Sequence, residues 1–288
     1  MKTRTLGTAT VSAIGLGGMP LSIEGRPDRE RALRTIHAAL DAGVTFIDTA
    51  DAYHLHADEV GHNEELIAEA VRTWSGDRDT ILIATKGGHL RPGDGSWTLD
   101  GSPEHLRSAV QGSLKRLGVE QIDLYQFHRP DPGVPYEESV GAVRDLLDEG
   151  LIVQAGISNA NPDQIVQART ILGGRLASVQ NQFSPRFRFS EPELRLCDEL
   201  GIAFLPWSPL GGIARAAGLG SSYAPFAEVG YSHGVSPQQV ALAWELAKSP
   251  WVIPIPGSSR PETILDSVRA VELVLTVDEL AALDATAI

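Results

Sequence analysis

The chain holds one cysteine, Cys197, in 288 residues. No internal disulfide can form, which fits a reducing compartment and makes the cytoplasm the expected location. Leu194, Leu196 and Leu200 surround that thiol in sequence. No His or Asn signature accompanies it, so a buried, inert group is expected rather than a nucleophile. Long hydrophobic runs are missing as well. No apolar stretch reaches the roughly 18 residues that a membrane span needs. Lys2 and Arg4 precede a mild apolar run to Met19, but Gly7, Gly15, Gly17 and Gly18 dilute it below a signal-peptide core, so it reads as strand material. Basic residues are scarce, 24 against 37 acidic ones, for a net charge of −13. That sign argues against nucleic acid or an anionic membrane as partner, and leaves room for a small anionic ligand in a local cationic pocket. No low-complexity linker or internal repeat divides the sequence, and residues 1–288 read as one domain.

What is present is a rhythm. A short apolar strand, a loop and an amphipathic helix recur along the chain. Asp28 caps a helix whose inner positions are Ala32, Leu33, Ile36, Ala39 and Leu40, and Gly43 stops it. Val44–Ile47 reads as a buried strand, and Asn63 precedes a second helix to about Trp74. Ile81–Thr85 is the next strand. Ser102-Pro103-Glu104 starts a helix with Leu106, Val110, Leu114 and Leu117 inside. Strands at Ile122–Phe127, Val153–Ile157, Ser178–Gln182, Ala203–Trp207 and Val252–Ile255 follow. The remaining helices fall at Tyr136–Asp148, after Asn161-Pro162, and around Pro192–Leu200, Ser236–Lys248 and Pro261–Ala270. With a first strand near Ile14–Leu16, the pattern predicts a parallel (β/α)8 TIM barrel rather than an open doubly wound sheet. Arg4–Val11 reads as an N-terminal hairpin at the barrel bottom, and Thr276 with Glu279 as the capping box of an extra C-terminal helix.

Barrel active sites lie where strands end and βα loops begin. Asp48 and Tyr53 follow the second strand, Lys86 the third and His128 the fourth. These four make chemical sense together. A lysine ammonium beside a tyrosine favours phenolate and lowers its pKa, and Asp48 can hold Lys86 charged. His128 can donate to a carbonyl oxygen while Tyr53 protonates it.

The segments Asp48-Thr49-Ala50-Asp51-Ala52-Tyr53, Ala84-Thr85-Lys86-Gly87 and Asp123-Leu124-Tyr125-Gln126-Phe127-His128 resemble the catalytic segments of the aldo-keto reductase superfamily. The resemblance continues in Gly156-Ile157-Ser158-Asn159, Gln180-Asn181-Gln182, Trp207-Ser208-Pro209-Leu210 and Ile255-Pro256-Gly257-Ser258-Ser259-Arg260, in order along nearly the whole chain. It implies reduction of an aldehyde or ketone by NADP(H), with Tyr53 as general acid, Asp48 and Lys86 as its tuning pair, and His128 orienting the carbonyl. It implies further that Ser158, Asn159 and Gln180 hold the nicotinamide carboxamide and Trp207 stacks on the ring. Ser208, Leu210 and Gly212 would wrap the pyrophosphate. Gly257, Ser258, Ser259 and Arg260 would take the 2′-phosphate, and Asp266 would lie near the adenine.

Two features depart from that pattern. Ser267 stands where the family often has Asn, and the stretch His54–His62 is longer than usual. His54, His56 and His62 lack the spacing of a zinc site, so a solvated loop without metal is expected. Trp97 either lines the pocket or covers the barrel rim, and Arg129 is expected to pair with Asp131. Gly211-Gly212 reads as a phosphate-loop turn. Competing functions are a nucleotide-binding regulatory subunit, as in the potassium-channel β subunits, and a barrel aldolase with Lys86 as Schiff base. A reductase of pyridoxal type is a narrower enzymatic reading, and a short loop after the fourth strand suggests an open mouth for assorted aldehydes.

Overall fold

The structure, a computed structural model, describes residues 1–286. Two short antiparallel strands come first, β1 (Thr3–Leu6) and β2 (Ala9–Ser12), joined at Gly7, whose φ of 56° suits glycine. The barrel strands are β3 (Leu16–Gly17), β4 (Phe46–Asp48), β5 (Leu82–Gly87), β8 (Ile122–Phe127), β9 (Ile152–Ser158), β10 (Leu176–Gln180) and β11 (Ala203–Phe204). A small hairpin of β6 (His89–Leu90) and β7 (Thr98–Leu99) stands above β5 and was not foreseen from sequence. The seven barrel strands pair in parallel in the spatial order β3-β4-β5-β8-β9-β10-β11.

The eighth position, residues 251–257, closes the ring without forming a regular strand. Ile253 N donates to Phe204 O at 2.9 Å on one side, and Gly15 N donates to Pro254 O at 2.9 Å on the other. Pro254 and Pro256 carry no N–H, so they accept from the first strand but cannot donate to it. The expected strand at Val252–Ile255 is therefore present as isolated bridges.

The helices are α1 (Arg29–Asp41), α2 (His62–Thr73), α3 (Pro103–Leu117), α4 (Tyr136–Asp148), α5 (Pro162–Ile171), α6 (Glu191–Leu200), α7 (Leu219–Ser222), α8 (Ala224–His233), α9 (Pro237–Lys248), α10 (Pro261–Arg269) and α11 (Val277–Asp284). The expected helix starts at Asp28, Ser102, Asn161 and Thr276 are caps, each side chain accepting a backbone N–H of the first turn, and Ser236, read as the first residue of its helix, caps it in the same way. α7 and α8 escaped the sequence reading, because Gly218, Gly220 and Gly230 dilute their pattern. α2 begins at His62, so Asn63 lies inside the helix rather than before it.

Strand alternation splits the core. Phe46, Leu82, Ala84 and Leu124 point into the barrel, where Leu6 and Val11 of the hairpin join them and plug the bottom. Ile47 faces α1 and α2, while Tyr125 and Phe127 face α3 and α4. Cys197 is buried in that outer layer, and burial pushes its thiol pKa up, as an inert group requires.

Candidate active site

The same period of two that points Phe46, Ala84 and Leu124 inward points Asp48, Lys86, Gln126, His128, Ser158 and Gln180 inward one or two steps later, toward the strand C-termini. Apolar residues fill the lower layers and polar ones the uppermost. Gly156 leaves room in this layer, because a Cβ there would run into Ser178 Oγ and, at 2.9 Å, Gln126 Cγ.

Lys86 is fully buried and uses all three of its N–H groups. Its Nζ donates to Asp48 Oδ2 at 2.7 Å, to Thr49 O at 2.8 Å and to Tyr53 Oη at 3.0 Å. Asp48 Oδ1 accepts from Gln180 Nε2 at 2.7 Å and from Gln126 Nε2 at 3.3 Å. Burial alone would lower the Lys86 pKa, but Asp48 and Tyr53 outweigh it and the net direction is up. The ammonium is therefore firmly charged. The Tyr53 pKa is raised, chiefly by burial, with Lys86 pulling against that and Asp48 adding to it. This corrects the expectation of a lowered tyrosine. The ammonium acts in the foreseen direction, but desolvation of the phenolate is the larger effect.

His128 lies edge-on to Tyr53 with ring centroids 5.8 Å apart. Burial, then Lys86, His89 and Arg129, hold its pKa well below the usual histidine value, so the ring is neutral. His89 packs edge-on to His128 at 4.7 Å and against Trp97 at 5.0 Å. Burial, with Arg129 and Lys86, lowers the His89 pKa to about 4. Trp97 lines the cleft, which decides between its two expected positions. Arg129 lines it too and does not pair with Asp131. The Asp131 carboxylate is taken by Gly101 N at 2.9 Å and Gly133 N at 2.8 Å, two backbone donors that bind it locally.

The cleft has a volume of about 680 Å³, within the usual range for a small-molecule site. Its other wall holds Ser158, Asn159, Gln180, Trp207, Ser208, Leu210, Gly212 and Gly257. Asn159 (φ 58°) and Ser208 (φ 53°) are the only non-glycine residues among those described with left-handed backbone, and both sit here. Asn159 is held in place by donating to His128 O and accepting from Trp207 Nε1 at 3.2 Å. That contact fixes the indole on the cleft wall. Gly211 and Gly212 have φ of 83° and 97°, in a turn that Gly211 N closes by donating to Ser208 O at 2.9 Å beside the cleft. These features fit a flat ring next to a phosphate chain.

Ser258, Ser259, Arg260 and Asp266 lie beyond the cleft at the start and along α10. The Ser258 hydroxyl contacts Thr263 Oγ1 and donates to Arg260 O at 2.8 Å. Asp266 accepts from Ser236 Oγ and Gln239 Nε2, both at 2.6 Å, tying α10 to α9. Ser267 donates to Thr263 O at 3.0 Å within its own helix. The His54–His62 stretch is solvated in its middle, where His56, Ala57, Asp58 and Val60 are exposed, as expected, but it is anchored at its ends. His54 is buried, its carbonyl accepts from Arg91 Nη1 at 2.7 Å, and His62 Nδ1 meets Ser22 Oγ at 2.9 Å. Glu59 is held by Arg26 through two contacts of 2.8 and 2.9 Å. Among the described residues no cluster of His, Cys, Asp or Glu could hold a metal.

The sequence profile of the Aldo/keto reductase family matches residues 13–288. The chain belongs to the aldo-keto reductases. It is 34% identical to the pyridoxine 4-dehydrogenase of Escherichia coli over 98% of its own length and 97% of the relative's. It is 35% identical to the 6-dehydroglucose reductase of Novosphingobium aromaticivorans, over 91% and 87% of the two chains. An aldo/keto reductase from Klebsiella pneumoniae, solved with NADP and acetate, superposes with a TM-score of 0.81 at 26% identity, covering 99% and 95%. As an aldo-keto reductase the chain is an oxidoreductase, and no helix among its described residues is long and apolar enough to cross a membrane. Sequence reasoning missed His89, Glu24 and Ile23, which also line this reductase's cleft. Ile23 and Glu24 come from an irregular turn and His89 from a two-residue strand, segments too short for periodicity to mark a direction. His89 alone left a signal, two residues past the strand that ends in Gly87.

Proposed function

We propose that this chain reduces aldehydes and ketones to alcohols, reversibly, with NADP(H) as cofactor. One observation carries the reading: Lys86 Nζ donates both to Asp48 and to Tyr53 Oη, in a cleft that His128 also lines. Tyr53 Oη accepts from the ammonium, so its own proton is free to point at a substrate oxygen. When bound, the cofactor supplies hydride to the carbonyl carbon. Tyr53 gives its proton to the oxygen as negative charge builds there. An alkoxide is a far stronger base than phenolate, so a raised Tyr53 pKa does not block that transfer. The phenolate left behind lies beside the Lys86 ammonium, which stabilises it. Neutral His128 donates a ring N–H to the same oxygen and fixes its position.

Ser158, Asn159 and Gln180 would hold the carboxamide, Trp207 the ring face, and Ser208, Leu210 and Gly212 the pyrophosphate. Gly257, Ser258, Ser259 and Arg260 would take the 2′-phosphate, with Asp266 near the adenine. The Klebsiella neighbour's complex with NADP supports this choice of cofactor. Pyridoxal-type aldehydes are the narrower candidate substrates, supported by the end-to-end relation to pyridoxine 4-dehydrogenase. The lone, buried Cys197 favours a cytoplasmic enzyme. The aldolase reading loses ground, because a Schiff base needs a neutral amine and Lys86 is held charged. Tyr53→Phe tests the proposal. NADPH binding should stay near normal while turnover falls about 10²- to 10⁴-fold. Retention of half the wild-type rate, with chemistry rate-limiting, would assign the acid to another group.

A further inference from the structure

We propose that Arg129 selects the substrate, and that the enzyme takes carbonyl compounds carrying an oxyanion, a carboxylate or a phosphate, on an otherwise apolar body. The carbonyl chemistry rests on the reductase reading above; the anion rests on separate observations.

Arg129 follows His128 in the loop after β8, and its side chain lines the cleft with Tyr53, His128 and His89. It is half-buried, and burial is what moves its pKa, downward. No hydrogen bond or ion pair engages its guanidinium among the described residues. The neighbouring charges are spoken for. Lys86 is matched by Asp48, and Arg91 by Glu24 and the His54 carbonyl. Asp131, the acid closest in sequence, is bound by backbone N–H groups. Nor is the guanidinium parked on an aromatic face, since among the described residues the cation–ring contacts belong to Lys86, Arg91, Arg188 and Lys248.

A partly desolvated guanidinium without a partner is costly, and this chain has many carboxylates that could have neutralised it. Its planar fork matches a carboxylate or phosphate through two parallel hydrogen bonds. Elsewhere the cleft is lined by the apolar Met19, Pro20, Ile23, Trp97 and Leu99, which suits the rest of such a molecule, and the one further carboxylate there, Glu24, is held by Arg91. A protein of net charge −13 repels anions in general, so an anionic substrate needs a local cation of this kind.

The test compares matched pairs, 4-carboxybenzaldehyde against its methyl ester and pyridoxal 5′-phosphate against pyridoxal. Each is titrated calorimetrically into enzyme with NADP+, where no reduction can occur, and then assayed with NADPH. Wild type should bind the anionic member of at least one pair about tenfold or more tightly. The pair that shows it identifies carboxylate or phosphate as the recognised group. Arg129→Gln should erase that preference by raising Kd and KM for the anion alone, and Arg129→Lys should restore part of it. NADPH affinity should stay within about twofold. Absence of any anion preference in wild type would overturn the proposal. So would equal losses for charged and neutral members, or a loss of NADPH affinity, which would give the guanidinium to the cofactor. Anion-selective binding without turnover of any carbonyl would instead sink the reductase reading and leave the Arg129 site standing.

Discussion

Asp48→Asn should be among the most damaging isosteric changes in this molecule. It removes one charge from a pair that is 2.7 Å apart with both side chains buried. The ammonium would keep Thr49 O and Tyr53 Oη as acceptors but lose its counter-charge. Breaking a buried pair by removing one partner costs about 3–5 kcal/mol. For a chain of 288 residues that lowers Tm by roughly 5–8 °C. Lys86→Met should cost a similar amount, since Asp48 would be left with only the Gln180 and Gln126 amides. The double variant, with neither charge, should cost about 2 kcal/mol or more less than the sum of the singles. The assay is urea denaturation of all four proteins. Its pH dependence adds a second check. Burial pulls the Lys86 pKa down, yet Asp48 and Tyr53 leave it above the ordinary 10.5. The stabilisation is therefore complete below 10.5 and is lost as pH rises through the folded-state value. Without Asp48, burial lowers the Lys86 pKa, so the variant sheds its buried charge as pH rises and the gap to wild type should narrow on the alkaline side, before wild type itself loses the pair. Additivity of the two singles within about 0.5 kcal/mol would refute the coupling.

Other expected outcomes concern the proposed cofactor site and the barrel itself. Arg260→Ala should weaken NADPH binding about 10- to 150-fold and leave NADH unchanged, measured by fluorescence titration; equal losses would misplace the 2′-phosphate site. Gly17→Ala puts a Cβ 2.7 Å from the Ile255 carbonyl oxygen, a backbone atom with little freedom to retreat. It should cost about 1–3 kcal/mol, read by thermal melts, and an unchanged Tm would show slack in the wall. Glu245 is fully buried with neither carboxylate oxygen partnered, and burial raises its pKa well above 4.5. Its contribution is thus whole below 4.5 and is lost as pH climbs through the folded value, so Glu245→Gln should gain on wild type by up to about 1.4 kcal/mol per pH unit across that window. Parallel pH-stability curves for the two proteins would contradict this.

The barrel was legible because its signals are local. Asp28, Ser102, Asn161, Ser236 and Thr276 announced their helices, and apolar runs announced the strands. Asp48, Lys86 and His128 were readable as a set because strand ends in a parallel barrel face one mouth. The illegible parts depend on contacts between distant segments. Gln126 buttresses Asp48 from two strands away in the barrel, 78 positions away in sequence. His54 is buried because Arg91 reaches its carbonyl, which no spacing within His54–His62 reveals. Arg129 and Asp131 look like a pair in sequence, but glycine N–H groups two and thirty residues away reach the carboxylate first. The Tyr53 pKa depends on how much water the fold removes, and sequence neighbours do not report that.

The proline-bearing segment that completes the ring has a mechanical consequence. Between residues 251–257 and the first strand, Gly15 N and Gly17 N donate to Pro254 O and Pro256 O, and neither proline can return a bond. The join between the first and last strands also spans the greatest distance along the chain, so it forms late in folding and opens early. The hoop thus has a clasp, and Gly17 and Gly257 sit in it at the edge of the cleft. Loosening there widens the mouth without disturbing Lys86 on the opposite side of β4. Hydrogen exchange should find the Gly15 and Gly17 amides yielding well before those of β8, and equal protection at both places would show that the clasp holds as firmly as the rest of the hoop.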